Sequence, residues 1–312
     1  MPSNKFFNRS IISIRDFTID DFAYLFDLTD KIQSLTSNER GEIAKGLILG
    51  YIFYEYSTRT RLSFESAMAS IGGRSLGISN IDSSSIMKGE SYADTIKTIS
   101  LYSDVVLIRH PSDGSSRYAS EISDKPVING GSGSEEHPTQ AMLDIYTIFK
   151  EKKRINGLSI GIVGDLKYGR TVYSLIYGLS TYDVDIHLVS PSVLKIRSES
   201  IDDIPNNIKM FHHTELTDDL LKKLDVIYVT RIQRERFPDL QEYKKIQGLY
   251  TIDENILKRS KPDVAILHPL PRVDEISPSI DNTTNAVYFK QASYGKELRS
   301  ALLSALLHEN PF

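Results

Sequence analysis

The chain has 312 residues, 40% of them hydrophobic and 25% charged, which is enough for two cores of ordinary globular composition, each of roughly 150 residues. The formal net charge of −4 provides no global basic field, so nucleic acid and anionic membrane surfaces are not expected partners, and any anion must be caught locally. There is no cysteine, which excludes disulfides, thiolate zinc sites and a cysteine nucleophile and leaves the redox compartment open. The start M-P-S-N-K-F-F-N-R-S lacks the apolar stretch of a signal peptide, and no later run approaches 18 apolar residues. A soluble, cytoplasmic protein is the expectation.

In chain order, Thr18-Ile-Asp-Asp reads as a capped start for a helix to about Leu35. Strands are predicted at Leu47 to Phe53, Val105 to Arg109 and Val127 to Asn129, with helical patterns at Thr60 to Ile71, stopped by Gly72-Gly73, and at Tyr92 to Tyr102. The first half therefore reads β-α-β with a parallel sheet. Pro138 to Lys153 reads as one long helix. The pattern then restarts with strands at Leu158 to Val163, Asp185 to Val189, Val226 to Thr230 and Val264 to Leu267. The expected fold is α/β, with two doubly wound parallel-sheet domains joined by a long helix. The domains are expected at 1–150 and 151–290, and the closing apolar run Leu298 to Leu307, within a tail of about 291–312, should pack back on the first.

After the first apolar run comes Tyr56-Ser-Thr-Arg-Thr-Arg-Leu-Ser-Phe-Glu65. The first turn of a helix has unpaired N–H groups and a partial positive charge, so it attracts anions. Ser57, Thr58 and Thr60 add hydroxyls there, and Arg59 or Arg61 adds a planar fork matched to phosphate oxygens. A capped helix with solvated arginines is the competing reading. Three further stretches put charge or imidazole at predicted strand ends, where open α/β sheets bind ligands: R-H-P at Arg109, E-E-H-P-T-Q around His137, and H-P-L-P-R from His268. His110, His137 and His268 each precede proline, whereas His212-His213 read as a polar, loop-like segment. No metal motif accompanies these histidines.

Seven stretches carry a family resemblance: S-T-R-T-R-L-S-F-E, K-G-E-S-Y-A-D-T, R-H-P, H-P-T-Q, G-D-L-K-Y-G-R-T, T-R-I-Q-R-E-R and H-P-L-P-R, in this order from Ser57 to Arg272. Together they resemble the carbamoyltransferase family, in the branch that uses aspartate. The resemblance implies transfer of a carbamoyl group from carbamoyl phosphate to L-aspartate in pyrimidine synthesis, with no cofactor and no metal. By the same resemblance, Ser57, Thr58, Arg59, Thr60 and Arg109 hold the phosphate. Thr60, Arg109 and His137 converge on the carbamoyl oxygen, while Gln140 and the Leu270 carbonyl hold the carbamoyl nitrogen. Arg170, Thr171, Arg231 and Gln233 meet the aspartate carboxylates, with Pro271 completing the Pro-Leu-Pro loop.

Asp82-Ser-Ser-Ser-Ile-Met-Lys-Gly-Glu reads by itself as a solvated loop. The resemblance instead places Ser84 and Lys88 in the active site of a neighbouring chain, making a homotrimer with shared sites. Ile86-Met87 stand where family members usually carry glycine or lysine. Glu55 and Arg236 match residues that form charge contacts on domain closure, and some family members also associate with regulatory chains.

Three other readings compete. The ornithine-using sister family carries His-Cys-Leu-Pro and Ser-Met-Gly where this chain has His268-Pro-Leu-Pro-Arg and Thr230-Arg-Ile-Gln. Arginines suit a dicarboxylate and repel a cationic acceptor. Gly161-Ile-Val-Gly-Asp-Leu-Lys-Tyr-Gly suggests a nucleotide-binding oxidoreductase but lacks the full G-x-G-x-x-G spacing. A non-catalytic binding protein that retains the fold is the third.

Overall fold

The computed structural model describes residues 4–79, 85–133, 136–202, 204, 208–232 and 248–311. The chain divides into two compact units: one runs up to Met142 and resumes at Tyr294, and the other is Leu143–Ser293.

In the first unit, β1 (Ile48–Phe53), β2 (Arg74–Ile78), β3 (Val105–His110) and β4 (Val127–Ser132) form a fully parallel sheet in the order β2-β1-β3-β4. Parallel neighbours require crossovers, and these are α3 (Thr58–Ser70), α4 (Tyr92–Leu101) and α5 (Ser115–Ile122). Central β3 is buried over Val105, Val106, Leu107 and Ile108, as a strand covered on both faces should be. Ile52, Ile96, Ile99, Val106, Ile108, Ala119 and Val127 close one side of this core. Ahead of the sheet, α1 (Ile19–Ser34) starts at Thr18 with the expected capping box, Thr18 and Asp21 each accepting the other's backbone N–H. Then comes α2 (Ser37–Ile43).

The second unit holds β5 (Ser159–Val163), β6 (Asp185–Val189), β7 (Lys209–His213), β8 (Val226–Val229) and β9 (Ala265–Leu267), parallel in the order β7-β6-β5-β8-β9. The division between units falls within α6 (Pro138–Lys152). The expected architecture of two parallel α/β sheets is observed.

Two strands escaped sequence prediction, β2 and β7, and both are sheet edges. Edge strands face solvent, so Arg74-Ser-Leu-Gly-Ile and Lys209-Met-Phe-His-His show no continuous apolar run. The loop expected at His212-His213 is corrected: both residues end β7, in register with Leu188 and Val189 of β6. The closing helix starts earlier than its apolar stretch, at Tyr288 instead of Leu298, because Phe289 to Glu297 mix exposed and buried positions and show no apolar run. Its later part is bound to the first unit: Ser300 Oγ lies 3.0 Å from Ser70 Oγ, Arg299 donates to Ser63 Oγ, and Asn4 Nδ2 donates to the Ala305 carbonyl at 2.8 Å. Among the described residues no helix is long and apolar enough to cross a membrane.

Candidate active site

The order β2-β1-β3-β4 reverses direction between β1 and β3, and a crevice opens at the carboxyl ends of strands where such a reversal occurs. Phe53, the last residue of β1, pairs with Arg109 near the end of β3. The segment leaving β1 therefore starts beside Arg109. That segment is Tyr54 to Ser57, and Ser57 is the N-cap of α3 with extended geometry but no side-chain cap bond. Its hydroxyl is thus not consumed in capping, and Thr58 and Arg59 on the first turn are exposed. Arg61 lies 3.9 Å from Glu65 one helical turn on, while Arg59 is exposed on the first turn.

Thr60 is buried, and its hydroxyl lies 3.4 Å from Nε2 of buried His137, which directly precedes α6. Arg109 Nη1 donates to the Gly130 carbonyl at 3.1 Å, and Glu55 Oε2 lies 3.4 Å from its Nε. Gly131 makes this convergence geometrically feasible. It sits at φ +112°, and a Cβ there would lie 2.9 Å from Arg109 Nη1 and 3.4 Å from the His137 ring. Thr60, Arg109 and His137 are thus brought together over Gly130-Gly131. Gln140, half-buried, is on the first turn of α6, its N–H bonded to the His137 carbonyl.

Two residues to which the resemblance assigns no substrate contact support this region. Glu136 accepts from Ser13 Oγ at 2.6 Å and from the Ile14 N–H at 2.8 Å, tying the N-terminal segment to the residue before His137. Burial lifts its carboxyl above the usual range despite these bonds. His110 packs against Tyr54 and Tyr92, with ring centroids at 4.6 and 5.2 Å, and accepts the Ser112 N–H on Nδ1. Burial holds its pKa down although Glu55 works the other way. Among the three His-Pro sites, His110 is therefore the one built into an aromatic wall.

In the second unit the order reverses between β5 and β8. Gly164, directly after β5, has φ +117°, and a Cβ on it would be 2.3 Å from the Thr230 carbonyl, so the loops leaving the two strands touch through a glycine. Asp165 Oδ1 accepts the N–H groups of Lys167 and Tyr168, which turns the chain into α7 (Arg170–Leu179). Arg170 and Thr171 open that helix, and Arg231 follows Thr230 beyond β8, so both arginines stand at the switch point. Leu270 and Pro271 lie beyond β9, joined by a cis peptide, with Leu270 at φ +57°. Lys88 ends the 3-10 turn Ser85–Lys88 and is exposed. Ser84, Gln233 and Arg236 lie outside the described residues. Among the described residues no group of three or more His, Asp or Glu side chains is placed to hold a metal ion.

Residues 9–150 match the family model described as aspartate/ornithine carbamoyltransferase, carbamoyl-P binding domain, and residues 156–306 match that of the Asp/Orn binding domain of the same proteins. The chain belongs to the aspartate/ornithine carbamoyltransferase family. Relatives in this family include the aspartate carbamoyltransferase catalytic subunit of Nitrosopumilus maritimus (strain SCM1), 60% identical over 99% of this chain and 100% of the relative. The Thermococcus kodakarensis catalytic subunit is 49% identical over 96% and 97%. Among solved structures, the catalytic subunit of M. jannaschii aspartate transcarbamoylase is 46% identical with a TM-score of 0.90, covering 97% of this chain and 99% of that one. Aspartate transcarbamoylase from Trypanosoma cruzi in complex with carbamoyl phosphate and aspartate is 34% identical with a TM-score of 0.92, covering 99% of each.

Membership of the carbamoyltransferase family removes the nucleotide-binding oxidoreductase reading of Gly161 to Gly169. Gly161 serves packing instead: it lies inside β5, where a Cβ would meet Leu224 at 2.7 Å.

Proposed function

We propose that this chain is the catalytic chain of an aspartate carbamoyltransferase, moving the carbamoyl group of carbamoyl phosphate to the amino group of L-aspartate to give N-carbamoyl-L-aspartate and phosphate. The reaction serves pyrimidine synthesis and is assigned to the cytoplasm. The observation that carries the reading is the convergence of Thr60, Arg109 and His137 over Gly131 at the β1/β3 switch point, beside the start of α3, where the Ser57 hydroxyl makes no cap bond.

Attack of an amine on the carbamoyl carbon builds negative charge on the carbamoyl oxygen while the phosphate departs. Donors fixed in advance stabilise that charge, each worth about 3 kcal/mol when removed. Thr60, Arg109 and His137 are assigned to the oxygen. Ser57, Thr58, Arg59, Thr60 and Arg109 are assigned to the phosphate, where a helix start and guanidinium groups complement its charge. Gln140 and the Leu270 carbonyl hold the carbamoyl nitrogen. Arg170, Thr171 and Arg231, with Gln233 and the Leu270-Pro271 segment, receive the aspartate carboxylates. No side-chain nucleophile is needed, because holding two substrates in contact supplies much of the acceleration.

The first unit is accordingly assigned to carbamoyl phosphate and the second to aspartate. Ser84 and Lys88 are assigned to the site of a neighbouring chain in a homotrimer, and Glu55 and Arg236 to closure over the substrates. The exposed position of Lys88 is compatible with reaching another chain.

The test is product formation by the purified chain from carbamoyl phosphate, with aspartate or ornithine as acceptor in parallel. Carbamoyl aspartate alone is expected. Citrulline would move the acceptor site to the ornithine branch and overturn the roles of Arg170 and Arg231, and neither product would point to a binding role or a missing partner chain.

A further inference from the structure

The loop after β9 contains a buried arrangement that substrate contacts do not explain. His268 is 1% exposed and both of its ring nitrogens are engaged. Nδ1 accepts the Leu270 N–H at 2.8 Å, and Nε2 lies 2.7 Å from Glu275 Oε1. A backbone N–H can only donate, so Nδ1 carries no proton and the ring proton sits on Nε2, directed at the carboxylate. Glu275 Oε2 in turn accepts the N–H groups of Val273 and Asp274 at 3.0 and 3.1 Å. Burial would raise the Glu275 carboxyl, but the hydrogen bond from His268 and the backbone N–H bonds hold the group below its ordinary value, hence ionised and accepting only.

The His268 backbone is held as well. Its N–H donates to Gln291 Oε1 at 2.9 Å, Gln291 Nε2 donates to Asp144 Oδ1 at 2.6 Å, and Tyr228 Oη donates to Asp144 Oδ2 at 2.9 Å. All of these side chains are buried. A buried polar network of this kind is seldom more stable than apolar packing of the same volume, so what it contributes is a defined orientation. The residue oriented is Leu270, whose φ of +57° is a left-handed conformation that an L residue seldom adopts. With φ set and the N–H anchored on the imidazole, the position of the Leu270 carbonyl carbon is fixed, and only rotation about the Cα–C bond is left to orient its oxygen.

We propose that His268 is a positioning residue for carbamoyl transfer: Glu275 fixes its Nε2–H tautomer, and the bare Nδ1 holds the Leu270 backbone so that its carbonyl addresses the carbamoyl nitrogen. This rests on the reading of the chain as an aspartate carbamoyltransferase and on the assignment of Leu270 within it.

The experiment compares His268→Asn with His268→Gln in the full chain. An asparagine oxygen reaches the position of Nδ1 and accepts from Leu270, whereas a glutamine amide reaches the position of Nε2, contacts Glu275 and leaves the Leu270 N–H without an acceptor. Misplacement by about 1 Å costs up to about 100-fold, so His268→Gln should lower kcat about 30-fold or more and His268→Asn about threefold, with KM for carbamoyl phosphate little changed in either. Equal losses in the two variants, or losses that simply track their melting temperatures, would overturn the proposal. A second measurement needs no variant: nitrogen-15 NMR of the unsubstituted protein should show Nδ1 bare and Nε2 protonated at His268, and a proton on Nδ1 would refute the clamp. Failure of the unsubstituted chain to make carbamoyl aspartate would refute the parent reading instead, while the tautomer measurement would still report on the clamp.

Discussion

Glu55 Oε2 lies 3.4 Å from Arg109 Nε, and both side chains are largely withdrawn from solvent. Glu55 lies two residues beyond the end of β1 and Arg109 is next to last in β3, so the carboxylate reaches the guanidinium from the neighbouring strand's loop while the Gly130 carbonyl holds Nη1. Two anchors on a planar group fix its plane.

Glu55→Ala removes one of those anchors and, under the proposed function, a closure contact. The expected outcome is a fall of about tenfold in kcat/KM for carbamoyl phosphate, since a surviving charge can still bind phosphate but in a looser geometry. Steady-state kinetics with saturating aspartate measure this, and unchanged kinetics would remove Glu55 from the mechanism.

Gly131→Ala probes the convergence itself. The added methyl would stand 2.9 Å from Arg109 Nη1 at a φ of +112° that an alanine disfavours. We expect a stability loss of about 1–2 kcal/mol in urea unfolding. Activity should fall much further than that, by about 100-fold, because the displaced guanidinium no longer meets the developing charge. A variant with native kcat would show that Arg109 need not occupy its present position.

The proposed sharing of sites between chains predicts complementation. Lys88→Ala and Arg59→Ala chains, each nearly inactive alone, should regain activity when unfolded together and refolded as a mixture, because some sites then combine an intact Lys88 with an intact Arg59. Mixed trimers no more active than either parent would remove the shared-site assignment.

The β6–β7 face makes a prediction for pH. His187 Nδ1 and His213 Nε2 are 3.0 Å apart, and the pKa values of His187, His212 and His213 are all held below the ordinary histidine value of 6.5. Burial is the main cause for each. Repulsion from His213 adds to it at His187 and His212, with nearby lysines acting in the same direction. Because the folded state resists protonation, the unfolded chain binds more protons as pH drops through the ordinary value, and stability falls with it. Unfolding free energy from urea titrations should therefore decline between about pH 7.5 and about pH 5.5, less steeply in His187→Gln. Identical slopes for the two proteins would show that this pair does not couple to folding.

Much of the architecture was legible because its signals are local. The Thr18 capping box, the apolar runs of the buried strands and the helix start at Ser57 each depend on a few adjacent residues, so they are written in short stretches of chain. The edge strands β2 and β7 were illegible for the converse reason: solvent on their outer side relaxes the demand for apolar residues, and only pairing with β1 and β6 makes them strands.

The candidate site divides in the same way. Residue types and motif order pointed from the sequence alone to anion capture and carbamoyl chemistry. Which residues meet was decided by tertiary structure: Thr60 and His137 are 77 positions apart, Glu136 is tied to Ser13, and His268 is locked between Leu270 and Glu275. Caps and apolar runs are properties of neighbours along the chain, whereas a hydrogen bond between distant side chains exists only once strand order and register have placed their backbones within reach.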